Sequence, residues 1–292
     1  MKITNKYGLP EPFVQALVKN YRPTPNRYGV TTLLKGATQT VLERRHHDEI
    51  TMDASEGIFM IFGTAVHQIL ENSGDQPGIY KEFRLEVPAG DGKSVISGIA
   101  DVYDSNTGTV IDYKTGSVWK AKIGDWEDYR RQIALYAWML NAHGYPCHTG
   151  QIVLMMKDHS KAEAKRKSDY PPYPVHVQTF HFTDEELSQA HREALDKVLL
   201  IRDLMELPTD SLPPCAPEER WNTGDRWAVM SDPKKKAVRV LDSREAAEKY
   251  MEDTGKGKYI EARPGQDKRC ADYCSVSSFC PYWKAKNDQA DG

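Results

Sequence analysis

The chain is poor in cysteine. It has five among 292 residues, too few and too unevenly placed for a disulfide scaffold. Three of them crowd the C-terminal region as Cys270, Cys274 and Cys280, with Cys147 and Cys215 upstream, and in a reducing compartment such a cluster points to metal. Long apolar runs are missing too. Nothing approaches the ~20 consecutive apolar residues of a membrane-spanning helix, and Met1 to Pro12 lacks the continuous apolar stretch of a secretory leader. The expectation is a protein of a cytoplasm-like compartment without a membrane partner. Neither sign of charge dominates: a net charge of −3 excludes a general basic coat, so any polyanion must be held by local patches. No GxxxxGK[ST] stretch is present, which excludes an ATP-driven motor built from this chain alone. There are no internal repeats, and no low-complexity tract beyond Lys234-Lys235-Lys236.

What is present is the composition of a globular chain, 39% hydrophobic and 28% charged, long enough to bury a sizeable core. The first thirty or so residues read as an irregular, proline-bearing arm, followed by a helix around Thr32 to Glu49. Phe59 to Glu71 has helical periodicity and carries His67. Tyr80 to Val87 sets Phe83, Leu85 and Val87 against Glu82, Arg84 and Glu86, the period of a half-buried strand; Glu82 reads as an exposed strand residue, with assistance to a metal in the neighbouring hairpin as the alternative. Trp126, Tyr129, Ile133, Tyr136, Ala137 and Leu140 mark an amphipathic helix ending near Gly144. Gln151 to Met156 and Val175 to Phe182 read as strands, with Lys161 to Pro174 as an exposed loop between them. Thr183 and Glu186 form a capping box opening a long helix through Met205. After Pro208 the texture changes to a small strand-helix-strand pattern (Ala237 to Leu241, Ser243 to Thr254, Lys258 to Arg263) ahead of the terminal cysteines.

The most informative stretch is Val95 to Ser117, VISGIADVYDSNTGTVIDYKTGS. It reads as a β-hairpin turning at Asp104 to Gly108. Residues two apart on a strand share a face, so Asp112 and Lys114 point the same way. If the hairpin closes about Asn106 and Thr107, Tyr103 faces Val110 and Asp101 faces Asp112. Opposed like charges with Cβ atoms ~5 Å apart destabilise a sheet unless a cation compensates them. A divalent metal with hard oxygen ligands, Mg²⁺ or Mn²⁺, meets that need. A solvent-exposed hairpin with a lateral Asp–Lys pair is the alternative.

The order of motifs along the chain resembles the PD-(D/E)XK nuclease superfamily, in its RecB-like exonuclease branch. It runs from Gly63-x-x-x-His67 on a helix through Asp101 at a strand end and Asp112-Tyr113-Lys114 on the next strand to Gln132-x-x-x-Tyr136 on a helix. The resemblance implies an α/β, restriction-endonuclease-like core with a mixed central sheet flanked by helices, plus a cysteine-rich C-terminal extension. Residues 1–58 would then be an N-terminal arm and helix packing on the core, 59–207 the nuclease core, and 208–292 a metal-cluster region. It further implies that His67, Asp101, Asp112 and the Tyr113 carbonyl bind Mg²⁺ or Mn²⁺. Lys114 would act at the reacting phosphate, and Gln132 and Tyr136 near DNA and the active site. Ala100 stands where the eponymous proline would be, and Asp112 fills a slot often held by glutamate. The implied activity is metal-dependent DNA hydrolysis, as an exonuclease on ends or single strands, with recombination or CRISPR-adaptation proteins as possible partners in a bacterial or phage-infected cell. Arg130 and Arg131, at the start of the Gln132 helix, are candidate DNA contacts.

Cys270, Cys274 and Cys280 need a fourth ligand, and Cys215 is the best placed. Four thiolates suit zinc or an iron–sulfur cluster. The resemblance favours a [4Fe–4S] cluster stapling the C-terminal segment, whereas a gap of three residues between Cys270 and Cys274, where relatives have two, keeps zinc in play. Cys147 reads as structural or inert. The rival to an enzyme is a non-catalytic DNA-binding or structural protein stabilised by the four-cysteine site.

Overall fold

In the computed structural model, which describes residues 2–18 and 22–288, the chain divides into two units, Met1–Pro208 and Thr209–Gly292. The first runs through β1 (Lys2–Thr4), α1 (Glu11–Gln15), β2 (Arg27–Gly29), α2 (Val30–Leu33), α3 (Ala37–Arg45), β3 (Thr51–Asp53), α4 (Ile58–Glu71) and β4 (Ile79–Pro88). It continues with β5 (Val95–Asp104), β6 (Thr109–Gly116), α5 (Val118–Ile123), α6 (Glu127–Ala142), β7 (Thr149–Met156), α7 (Lys161–Arg166), β8 (Val175–His181) and α8 (Asp184–Glu206).

Alternation builds the strands. In β7, Ile152, Leu154 and Met156 are buried while the residues between them are half-exposed, and in β4 Leu85 and Val87 are buried between exposed Arg84 and Glu86, as a period of two requires. The central sheet has the order β2-β5-β6-β7-β8, with β4 also on β5. It is mixed: β2–β5 and β6–β7 are parallel, and β4–β5, β5–β6 and β7–β8 antiparallel. The parallel β6–β7 pair needs a crossover, which α5 and α6 supply. Helices α3 and α6 each pack on α8, and side chains withdrawn from water in the three include Val41, Leu42, Ile133, Ala137, Leu140, Val198 and Ile201. The Thr183–Glu186 capping box opens α8 as its sequence requires.

β5 carries three neighbours. β4 pairs along its whole length, from Ile79↔Asp104 to Pro88↔Val95. The other edge is divided, with β2 on Val95 to Ser97 and β6 on Val102 to Asp104. Between those two partners, Gly98 to Asp101 have no strand beside them on that edge, and this opening positions the candidate site.

Two local expectations change. The single helix around Thr32 to Glu49 is broken into α2 and α3 because Gly36 is extended (φ −60°, ψ 137°) and starts the second helix afresh. Lys161 to Pro174 is not wholly loop: Ser160 caps the short α7 by accepting the Glu163 amide. In the second unit, β9 (Arg226–Met230), β10 (Arg239–Leu241), α9 (Arg244–Thr254), β11 (Tyr259–Arg263), α10 (Lys268–Asp272) and α11 (Pro281–Asp288) follow. β9 is the centre of an antiparallel sheet ordered β10-β9-β11. Its run Ala228-Val229-Met230 is buried throughout, so it lacks the alternation that marks the outer strands. Among the described residues no helix is long and apolar enough to cross a membrane.

Gly98 is required by contact. A Cβ there would lie 2.5 Å from Tyr136 Cε1 and 2.9 Å from Val30 Cγ2, and both side chains are buried. Gly98→Ala is therefore expected to destabilise the fold by ~1–3 kcal/mol through overpacking, read as a lowered thermal or denaturant midpoint.

Candidate active site

At the opening in β5 the two strands of the hairpin part. Tyr103 faces Val110 and Val102 faces Ile111, the register expected from a turn at Asn106 and Thr107. The next pair outward is Asp101 and Asp112, where the backbone ladder has ended. Asp101 replaces the missing rung with its side chain: Oδ2 accepts the Tyr113 N–H at 2.7 Å. Its Oδ1 lies 3.3 Å from His67 Nδ1 on α4.

Asp112 is 4% exposed. Its Oδ1 accepts from Gln132 Nε2 at 3.1 Å and its Oδ2 lies 2.6 Å from Lys114 Nζ. That second contact is a buried ion pair, so the charge of Asp112 is balanced chiefly by the Lys114 ammonium. Gln132 and Tyr136 are one turn apart on α6 and both are buried. The Tyr136 ring covers Gly98, and its hydroxyl accepts the Ile99 amide and contacts Gln132. Tyr136 thereby plugs the β5 opening while Gln132 holds Asp112.

The electrostatics follow from burial. Removal from water, and then the charge of Asp112, push the Asp101 carboxyl up to about 6 against the pull of the Tyr113 amide, His67 and Lys114. Burial also raises Asp112, offset by Lys114 and His67. A carboxylate pair crowded in this way is stabilised by a cation. The donor set fits a divalent ion: two carboxylates, one of them almost fully buried, an imidazole and a nearby backbone carbonyl.

Two participants escape the sequence pattern. Glu82 does not lie in the exposed row of β4; it has φ +47°, and its carboxylate, His67 and Asp101 bring ligand atoms within 4.8 Å of one another. Tyr129, which the periodicity places in an apolar stripe, faces the site instead, with Lys114 Nζ 5.5 Å and Lys120 Nζ 4.8 Å from its ring centroid. Only an odd spacing, three before Gln132, hints at the shared face. The two arginines are engaged elsewhere: Arg130 pairs with Glu186 at 2.5 Å and lies over Phe182, and Arg131 is 3.9 Å from Glu193.

In the second unit, burial and then the charges of Cys274, Asp267, Cys280 and Cys215 push the Cys270 thiol up to about 12, so the other three cysteines of the expected set each lie within electrostatic reach of Cys270. Cys147 is buried and its thiol is raised to about 11 by desolvation, which suits an inert side chain.

Two solved structures resemble the chain. The protein of "Crystal structure of SSO0001" is 19% identical over 62% of this chain and 79% of its own, with a TM-score of 0.45. A phage related exonuclease from Haemophilus somnus 129PT is 13% identical over 59% of this chain and 74% of its own, with a TM-score of 0.30. No curated protein sequence matches. The signature of the PD-(D/E)XK nuclease superfamily spans residues 33–281, which takes in every side chain of the Asp101–Asp112–Lys114 centre, and the chain belongs to that superfamily.

Proposed function

We propose that this nuclease-superfamily chain hydrolyses DNA phosphodiester bonds with Mg²⁺ or Mn²⁺, as an exonuclease of the RecB-like kind working on ends or single strands. The observation that carries the reading is the convergence of Asp101, Asp112 and Lys114 where β6 leaves β5. A bound divalent ion supplies Lewis-acid polarisation and an activated water. The chain's own groups have separable tasks. Asp101, Asp112 and the Tyr113 carbonyl present oxygens, and His67 an imidazole. Gln132 fixes Asp112 in one rotamer and Tyr136 backs Gln132. Lys114 holds an ammonium beside the reacting position, where it stabilises charge growing on phosphate or orients the attacking water. A lysine 2.6 Å from Asp112 weighs against the non-catalytic alternative.

Near the carboxyl ends of β6 and β7, exposed Phe59 and Trp119 offer faces on which unpaired bases can stack. Lys157 stands 3.7 Å from the Phe59 centroid, and its amide donates to the Gly116 carbonyl. This favours a single strand or an opened end as substrate. Arg130 and Arg131 reach DNA in this reading by exchanging Glu186 and Glu193 for phosphates. For the four cysteines we favour a [4Fe–4S] cluster over zinc. The reading rests on the resemblance to nucleases that staple their C-terminal segment with such a cluster, and four thiolates satisfy either metal.

Three outcomes are expected. Asp112→Ala and Lys114→Ala each abolish Mg²⁺- or Mn²⁺-dependent release of nucleotides from end-labelled DNA with an unchanged far-ultraviolet spectrum; wild-type cleavage by both removes the assignment. Anaerobically purified protein shows a visible charge-transfer band that Cys270→Ser or Cys280→Ser bleaches, while a colourless protein containing zinc decides for the other metal. Finally, a carboxyl raised on folding lends stability below the ordinary value of 3.8, lost as pH rises through about 6. Metal-free wild type is thus expected to lose stability relative to Asp101→Asn between those limits, by on the order of 2–3 kcal/mol, measured by denaturation at each pH. A flat difference would show Asp101 to be unperturbed.

A further inference from the structure

The β4–β5 ladder keeps one register from end to end, and the rung it omits is the one between Glu82 and Asp101. A bulge would insert a residue and shift the pairing beyond it; here Lys81↔Val102 and Phe83↔Ala100 belong to the same register. The strand is not bulged but turned at a single residue. Among the described residues, the non-glycine positions with positive φ are Asn26, Glu82 and Trp221, and Glu82 is the one inside a strand. The register sets Glu82 directly opposite Asp101, and ligand atoms of Glu82, Asp101 and His67 lie within 4.8 Å of one another. Around Asp101 stand His67, Glu82 and the buried Asp112, whose charge acts on Asp101 and whose nearest cation is Lys114.

We propose that Glu82 is a ligand of the divalent cation at Asp101, closing the His67 side of the site, and that the strained backbone at Glu82 is tolerated for that role. This rests on the cation-dependent reading above. With an imidazole beside carboxylates, the set suits Mn²⁺ as well as Mg²⁺, and Mn²⁺ is the probe.

The test is Mn²⁺ binding to the metal-free full chain without DNA, by calorimetric titration or by the electron paramagnetic resonance of free Mn²⁺. Glu82→Gln and Glu82→Gly are each expected to weaken binding about tenfold or more, and Glu86→Gln, an exposed change on the same strand, to leave it unaltered. Glu82→Gly removes the strain as well as the carboxylate, so its metal-free form is expected to unfold at a higher temperature than wild type, which loss of a merely structural side chain would not produce. Wild-type affinity in Glu82→Gln and Glu82→Gly overturns the proposal; if the glycine variant does not fold, the glutamine variant decides. Absence of Mn²⁺ binding by the wild type overturns the cation-dependent reading along with it. Binding by wild type and both Glu82 variants, lost in Asp112→Ala, overturns the role of Glu82 alone.

Discussion

The hydrogen bond from the Tyr113 amide to the Asp101 carboxylate is the constraint on which the rest turns. β5 has a full neighbour on one edge and two partial neighbours, β2 and β6, on the other, so its backbone between them is a sheet edge inside the protein. Buried edges must be satisfied. Tyr136 takes the Ile99 amide and Asp101 takes the amide of the departing strand. The carboxylate that closes the hairpin is therefore the one that opens the site: as β6 swings to pair with β7, Asp112 and Lys114 turn into the space that it leaves.

Much of this was legible in the chain itself. The turn residues Asp104 to Gly108 fix the hairpin register, which brings the two aspartates level, and the four-residue step from Gln132 to Tyr136 puts both on one face of α6. What periodicity could not supply was anything set by a partner distant in sequence. Glu82 fits the alternation of β4, and its approach to His67 and Asp101 depends on partners from α4 and β5. Tyr129 reads as a core aromatic, since cation–π partners such as Lys114 and Lys120 leave no trace in a spacing. β9, in the middle of its sheet, buries Ala228, Val229 and Met230 consecutively, so its inner half shows no alternation.

The second unit has a polar centre of its own. The Asp267 side chain is fully buried and accepts from Asn222 Nδ2 at 2.6 Å, Tyr282 Oη at 2.7 Å and Lys286 Nζ at 2.7 Å, with Arg220 Nε at 3.6 Å. Burial alone would raise its carboxyl, but these donors outweigh it and hold the group below its ordinary value. The network joins the segment after Cys215 to both ends of the Cys270–Cys280 stretch. Some of the closure that a metal cluster would provide is thus already provided by one carboxylate, and truncating it would strand several buried donors at once.

Charge balance explains why the first site tolerates its own construction. Burial comes first among the causes that raise the carboxyls of Glu82, Asp101 and Asp112. The nearest protein cation, Lys114, pairs with Asp112, two residues away on the same strand, and its stem length keeps it there. His67, half-exposed on α4, faces Asp101 and Glu82 as an imidazole, which carries at most one charge. Adding a non-glycine residue at φ +47°, worth ~1–3 kcal/mol of strain, gives an arrangement destabilised from two sources, desolvated negative charge and backbone distortion. Such a concentration of cost is what a preorganised cation site looks like before its ion arrives: the donors are already desolvated and aimed, so binding need not reorganise them.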